Sequence, residues 1–166
     1  IELVVVDNAS TDETKMAIHR ARSFLPLPVM YVYEPLKGLS RARNTGLLHC
    51  RGRILAWTDD DCVVSRDWLT SLLKHFDDDH TLSMLGGRVE LYDDTLYPVS
   101  INPSLVPYRM HDTNVFPGAV LYGCNMAFRR HLVTQIGPFD VRLGAGTLLR
   151  AAEDADYVYR AHKAGY

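Results

Sequence analysis

The segment at residues 54–61, Ile54-Leu55-Ala56-Trp57-Thr58-Asp59-Asp60-Asp61, constrains the fold more than any other. A short apolar run that stops at three carboxylates reads as a buried strand delivering charge to its carboxyl end, the end at which open α/β sheets bind ligands. Three adjacent acids repel one another unless they are solvated, hydrogen-bonded or neutralised by a cation. Alternate residues of an extended chain face the same way, so Asp59 and Asp61 are expected to converge while Asp60 turns aside. That spacing suits a hard divalent cation, which takes oxygen ligands and keeps waters or phosphates at its other positions. The residues alone leave a metal site and a plain acidic turn equally open.

The flanking sequence repeats the strand-then-helix pattern. Residues 1–6 are valine-rich and read as a buried parallel strand, followed by a helix capped by Ser10, Thr11 or Asp12 and running to about Phe24. Val29–Tyr33 reads as a second strand, and Ser40 as the cap of a basic helix that ends near Gly52. Beyond the acids, Trp68, Leu69, Leu72, Leu73 and Phe76 recur at helical spacing. That helix ends at Asp77-Asp78-Asp79, a charge run unfavourable to the helix dipole, read as a solvated end without chemistry. A strand is expected at residues 81–91, a proline-rich loop or flap at 93–118, an apolar segment at 119–128, a short helix at 129–136 and a last helix at about 152–164. Strands alternating with helices of this length predict an α/β fold with a mainly parallel, mixed sheet flanked by helices.

Composition narrows the function classes. The 166 residues are 47% hydrophobic, enough for the core of a single domain spanning 1–166. A net charge of -2 argues against a nucleic-acid surface, and no apolar run is long enough to span a bilayer. Cys50, Cys62 and Cys124 form no Cys-x-x-Cys pair, and the seven histidines form no metal-binding array. Free thiols of this kind fit a cytoplasmic protein, with the inner membrane face as a peripheral location.

Six short motifs occur in order: Val5-Val6-Asp7-Asn8-Ala9-Ser10-Thr11-Asp12, Ala42-Arg43-Asn44-x-Gly46, Thr58-Asp59-Asp60-Asp61, Gly123-Cys124-Asn125-Met126-Ala127-Phe128-Arg129-Arg130, Gly137-Pro138-Phe139-Asp140, and Glu153-Asp154-x-Asp156. Together they resemble the family 2 glycosyltransferases, whose fold is the Rossmann-like GT-A type. The resemblance implies transfer of a sugar, with inversion, from a nucleotide diphosphate-sugar donor to a saccharide or lipid-linked acceptor hydroxyl, in polysaccharide or glycoconjugate biosynthesis. It implies that Asp7 and Asn8 touch the nucleotide, that Arg43, Asp59 and Asp60 join the donor-binding set, and that Asp61, with Asp59, forms the Asp-x-Asp site of a Mg2+ or Mn2+ ion. Asp154 matches the general base, with Glu153 the next candidate. Asn125 and Arg130 are placed on the acceptor side by position alone. The family normally carries a strand and a helix ahead of the strand that starts at Ile1, so the resemblance implies a GT-A catalytic domain incomplete at both ends. Residues 148–152 also stand where relatives often show glycines.

Two other readings compete. Asp59-x-Asp61-x-Val63 after an apolar strand imitates the opening motif of aspartate-nucleophile phosphohydrolases, but that motif normally begins its domain and would leave Arg43-Asn44-x-Gly46 unexplained. The non-enzyme reading is a module that binds nucleotide sugar without turning it over, or a fragment.

Overall fold

The computed structural model describes residues 1–110 and 121–166. Its chain divides into two compact units, Ile1–Gly52 with Pro138–Asp156, and Arg53–Gly137 with Tyr157–Tyr166.

The first unit is a β-α-β-α arrangement. Strand β1 (Leu3–Asp7) pairs in parallel with β2 (Val29–Tyr33), Leu3 opposite Val29 and Asp7 opposite Tyr33. Parallel strands need a crossover, and helix α1 (Thr14–Arg22) supplies it. None of the three expected capping residues holds the cap position, which falls to Glu13 without a side-chain cap bond; Asp12 lies one residue earlier, where its Oδ1 accepts the Thr14 backbone N–H at 3.0 Å. Helix α2 (Leu39–His49) lies against β1, with Leu47 buried. A Cβ on Gly46 would sit 3.5 Å from Val6 Cγ2.

Ser40 does not cap α2, a correction to the sequence expectation. Gly38, at φ 141°, holds the cap position. Ser40 sits inside the helix, fully buried, and its hydroxyl donates to the Leu143 carbonyl at 2.8 Å. The physical reason is that a buried serine hydroxyl must find an acceptor, and the 140s segment supplies one.

The second unit holds a three-stranded sheet, in the order β3 (Ile54–Trp57), β5 (Met126–Arg129), β4 (Met84–Gly86). Both pairings are antiparallel. The α/β architecture is as expected, but parallel pairing is confined, among the described residues, to β1 and β2. A single sequence carries no signal for strand direction here, because the connection between β4 and β5 is long enough to allow either. The strand expected at 81–91 shrinks to Met84–Gly86, followed by irregular chain to residue 110 with one isolated bridge between Val89 and Asn102. The rest of the expected 93–118 loop, and residues 119–120 of the apolar segment, lie outside the described residues.

Strand β5 is the core of this unit. Met126, Ala127 and Phe128 have no exposed surface. Ala127 faces a cluster of Leu72 and Phe76 from helix α3 (Trp68–Asp78), joined by Ile54, Trp68, Leu82 and Leu85. Its neighbour Phe128 stacks between Trp57, at 4.6 Å between ring centroids, and Tyr157, at 5.0 Å. Burying a side chain of that size contributes about 1.5–3 kcal/mol. Trp57 itself is half-buried. Helix α4 (His131–Ile136) follows β5, and α5 (Glu153–Lys163) closes the described chain. Residues 153–156 of α5 belong to the first unit and the remainder to the second.

The acid run at the end of α3 is more than a solvated terminus. Arg129 donates to the carbonyls of Phe76, at 2.6 Å, and Asp79, at 3.2 Å, offsetting the negative charge at that helix end. Asp79 accepts from the Thr81 hydroxyl and from Arg109, and these bonds hold its carboxyl well below the usual range.

Candidate functional site

The candidate residues fall into two groups, each contained within one unit. In the first, Asp7 ends β1 and is 4% exposed. Burial opposes its ionisation. The bonds donated by the Ser10 backbone at 2.9 Å and the Tyr31 hydroxyl at 2.7 Å outweigh that burial and hold the carboxyl below its ordinary value. The same bond pushes the Tyr31 phenol up to about 12. No sequence motif marks Tyr31; the signal it carries is the period-two alternation of Val29, Tyr31 and Tyr33 along one face of the strand.

Asn8 works on the loop that follows β2. Its amide nitrogen donates to the carbonyls of Glu34, at 3.3 Å, and Leu36, at 2.8 Å, and its oxygen accepts the Gly38 backbone N–H at 2.7 Å. Asn8 therefore fixes the entry to α2 from the end of β1.

The Arg43-Asn44-x-Gly46 motif lies along the inner face of α2. Arg43 Nη1 bonds Glu153 Oε1 at 2.9 Å, with the two side chains 4% and 7% exposed. The guanidinium also lies over the Phe139 ring, 5.5 Å from its centroid. Asn44 and Phe139 exchange two bonds: the amide donates to the Phe139 carbonyl at 2.9 Å and accepts its N–H at 2.8 Å. Three separate sequence motifs thus meet in one buried cluster. Asp154 follows Glu153 in the first turn of α5, half-buried, and its Oδ1 accepts the Ala155 N–H at 2.7 Å.

In the second unit, the acids sit beyond β3. The Cys62 N–H bonds the Asp59 carbonyl at 3.2 Å, so residues 59–62 form a turn and the segment is not extended. The expected convergence of Asp59 and Asp61 by strand alternation does not apply, because the chain has already turned. Asp59 is half-buried, while Asp60 and Asp61 are exposed. The Cys62 thiol contacts Asp61 Oδ1 at 3.6 Å.

Antiparallel pairing decides which of the other candidates share this end of the sheet. Trp57 is opposite Met126 and Ile54 is opposite Arg129. Asn125, just before β5, therefore lies at the acid end, and Arg130, just after it, lies at the far end, where its backbone bonds the Arg53 carbonyl at 2.8 Å. The structure does not bring Asn125 and Arg130 together. Asn125 accepts from the Trp68 indole at 2.9 Å and donates to the Arg88 carbonyl at 3.0 Å. With Ser71, His75 and Gly87 these residues line a surface pocket of about 230 Å3. A Cβ on Gly87 would come within 2.8 Å of the Asn125 amide. The neighbouring Cys124 thiol is pushed up to about 11, chiefly by burial.

Among the described residues no cluster of three or more His, Cys, Asp or Glu side chains forms a protein cage for a metal. The carboxylates of Asp59–Asp61 are hard oxygen donors, the kind a divalent cation takes. Among the described residues no helix is long and apolar enough to cross a membrane.

Comparison with known proteins agrees with the fold. The family described as Glycosyl transferase family 2 matches residues 1–137. The succinoglycan biosynthesis protein ExoM of Rhizobium meliloti is 28% identical over 99% of this chain and 52% of its own length. The chain spans about half the length of the curated relatives it matches end to end. The structure of the mannosyltransferase PcManGT from Pyrobaculum calidifontis, in complex with GDP-Man and Mn2+, is 29% identical. It superposes with a TM-score of 0.64, over 87% of this chain and 40% of its own. The structure of Staphylococcus aureus TarS residues 1–349 with UDP-GlcNAc is 23% identical, with a TM-score of 0.70 over 97% of this chain and 44% of its own, a likeness of fold.

Proposed function

The chain belongs to glycosyl transferase family 2, and from that membership we propose that it transfers a sugar from a nucleoside diphosphate-sugar donor to an acceptor hydroxyl, with inversion. Membership sets aside the phosphohydrolase reading. The observation that carries the proposal is the exposed acid turn at the carboxyl end of β3, in a chain of this family.

Each residue has a role its surroundings support. Asp59 and Asp61 would hold Mg2+ or Mn2+ through the turn, with Asp60 beside them on the donor. A bound cation of this kind acts as a Lewis acid for the charge that builds on the departing diphosphate. Asp7, kept ionised by Ser10 and Tyr31, offers an acceptor for the hydroxyls or base edge of the nucleotide. Asn8 shapes the adjoining loop. A sugar hydroxyl is a weak nucleophile, so Asp154 takes its proton as it attacks the anomeric carbon on the face opposite the diphosphate. Asn125, held by Trp68 and Arg88, belongs to the acceptor side, and the pocket it borders is the place for a saccharide or lipid-linked acceptor. The three free cysteines suit a reducing, cytoplasmic compartment.

The test is donor turnover in the presence of Mn2+, with UDP- and GDP-sugars as probes. Asp154→Asn should lose about 10²–10⁴-fold in kcat while still binding the donor. Donor binding without turnover in the native sequence would favour a non-catalytic binding module.

A further inference from the structure

We infer that Arg43 and Glu153 are positioning residues, a buried ion pair that fixes the first turn of α5 and so aims the Asp154 carboxylate. The inference rests on the assignment of Asp154 as base, and it deepens that assignment.

The geometry is over-determined at this point of the chain. Immediately before α5 the backbone is left-handed at two non-glycine residues, Arg150 at φ 48° and Ala152 at φ 72°. Side-chain-bearing residues hold such angles only where the surroundings enforce them. Gly144, at φ 94°, lies so close to Glu153 that a Cβ there would meet Glu153 Oε2 at 3.0 Å. Its N–H also bonds the Ala151 carbonyl at 3.2 Å.

Glu153 is thus enclosed on one side by the Gly144 turn and bonded on the other to Arg43. Helix α2 fastens the same segment at three further points. Leu39 N–H bonds the Ala145 carbonyl at 2.9 Å, Ser40 bonds Leu143, and Asn44 exchanges its two bonds with Phe139. Asp154 is one residue from Glu153, so any freedom in the Glu153 side chain becomes rotation of the helix start and displacement of the Asp154 carboxyl. Removing one partner of a desolvated pair leaves an uncompensated buried charge. The helix start would then move to hydrate it.

The experiment measures kcat and donor affinity for Glu153→Gln, Arg43→Gln and the double variant, with Asp154→Asn as the control. A positioning pair predicts that Glu153→Gln lowers kcat by roughly 10–100-fold, the cost of a misplaced reacting group, with donor affinity unchanged. The double variant should lose no more than the worse single variant, because both act through one interaction. Arg43→Gln weakening donor binding on its own, losses that add, or a Glu153→Gln variant with the native kcat would each overturn the inference. Thermal melting confirms that each variant is folded. Glu153→Gln, which keeps an oxygen for Arg43, carries the test if Arg43→Gln does not fold. Turnover that survives in Asp154→Asn overturns the base assignment instead. Hydrogen exchange at the Asp154 and Ala155 amides then still tests the pair: faster exchange in Glu153→Gln supports it, and unchanged exchange overturns it.

Discussion

Two pairs of acids, one in each unit, are handled in opposite ways. In the first unit Asp7 and Glu153 are buried and bonded, Asp7 to Ser10 and Tyr31, Glu153 to Arg43. In the second unit Asp60 and Asp61 lie exposed on a turn. A carboxylate inside the protein is tolerated because its partners are already in place, so it builds structure. A carboxylate on an open turn costs little to hold there, and it can still exchange water for a cation. Sequence motifs of equal prominence therefore divide into buried acids that build structure and acids left on an exposed turn.

Breaking the framework should have the largest effect on stability. Arg43→Ala strands the Glu153 charge and should cost about 3–5 kcal/mol in denaturant unfolding. A loss near zero would erase the contrast between the units. Gly144→Ala should cost about 1–3 kcal/mol, because it forces a side chain into a left-handed angle and against Glu153.

Tyr31→Phe should act more mildly and in a pH-dependent way. The Asp7 carboxyl titrates below its unfolded value in the folded protein, so its contribution is present above the unfolded pKa and is lost as pH falls through the folded one. Removing the Tyr31 hydroxyl brings the two values closer, and the acid unfolding midpoint should move to higher pH. Tyr31 itself is raised from 10.0 to about 12, so its contribution is whole below pH 10 and fades as pH rises through about 12. Melting curves across pH read both limbs, and the variant should lack the alkaline one. The smallest change in stability is expected for Asp61→Asn, whose melting temperature without ligand should match the native chain, since an exposed turn residue contributes little to folding.

Local patterns in the sequence located the framework elements well. The valine-rich strand β1 and the apolar spacing of α3 follow from periodicity and are in place, although β1, expected to be buried, is half-buried at Val4, Val5 and Val6 and exposed at Leu3. What long-range pairing decides was not readable. The ion pair that Arg43 makes with a buried glutamate 110 residues away leaves no trace in one dimension. Asn125 and Arg130 are close in the chain, but strand β5 between them sets them at opposite ends, and its antiparallel register with β3 puts Asn125 at the acid end. Strand alternation predicts an extended acid triplet, whereas a bond from the Cys62 N–H to the Asp59 carbonyl closes it into a turn. Ser40 had the composition of a cap and became a buried tie to Leu143.

The most direct measurement is the melting temperature of the native chain and of Asp61→Asn with UDP or GDP, with and without Mn2+, because a ligand that binds the folded state raises its stability. A cation-dependent nucleotide site on the acid turn requires a shift in the native chain that needs Mn2+ and disappears in Asp61→Asn. No shift with either nucleotide at saturating Mn2+, or a shift that persists in Asp61→Asn, would contradict it.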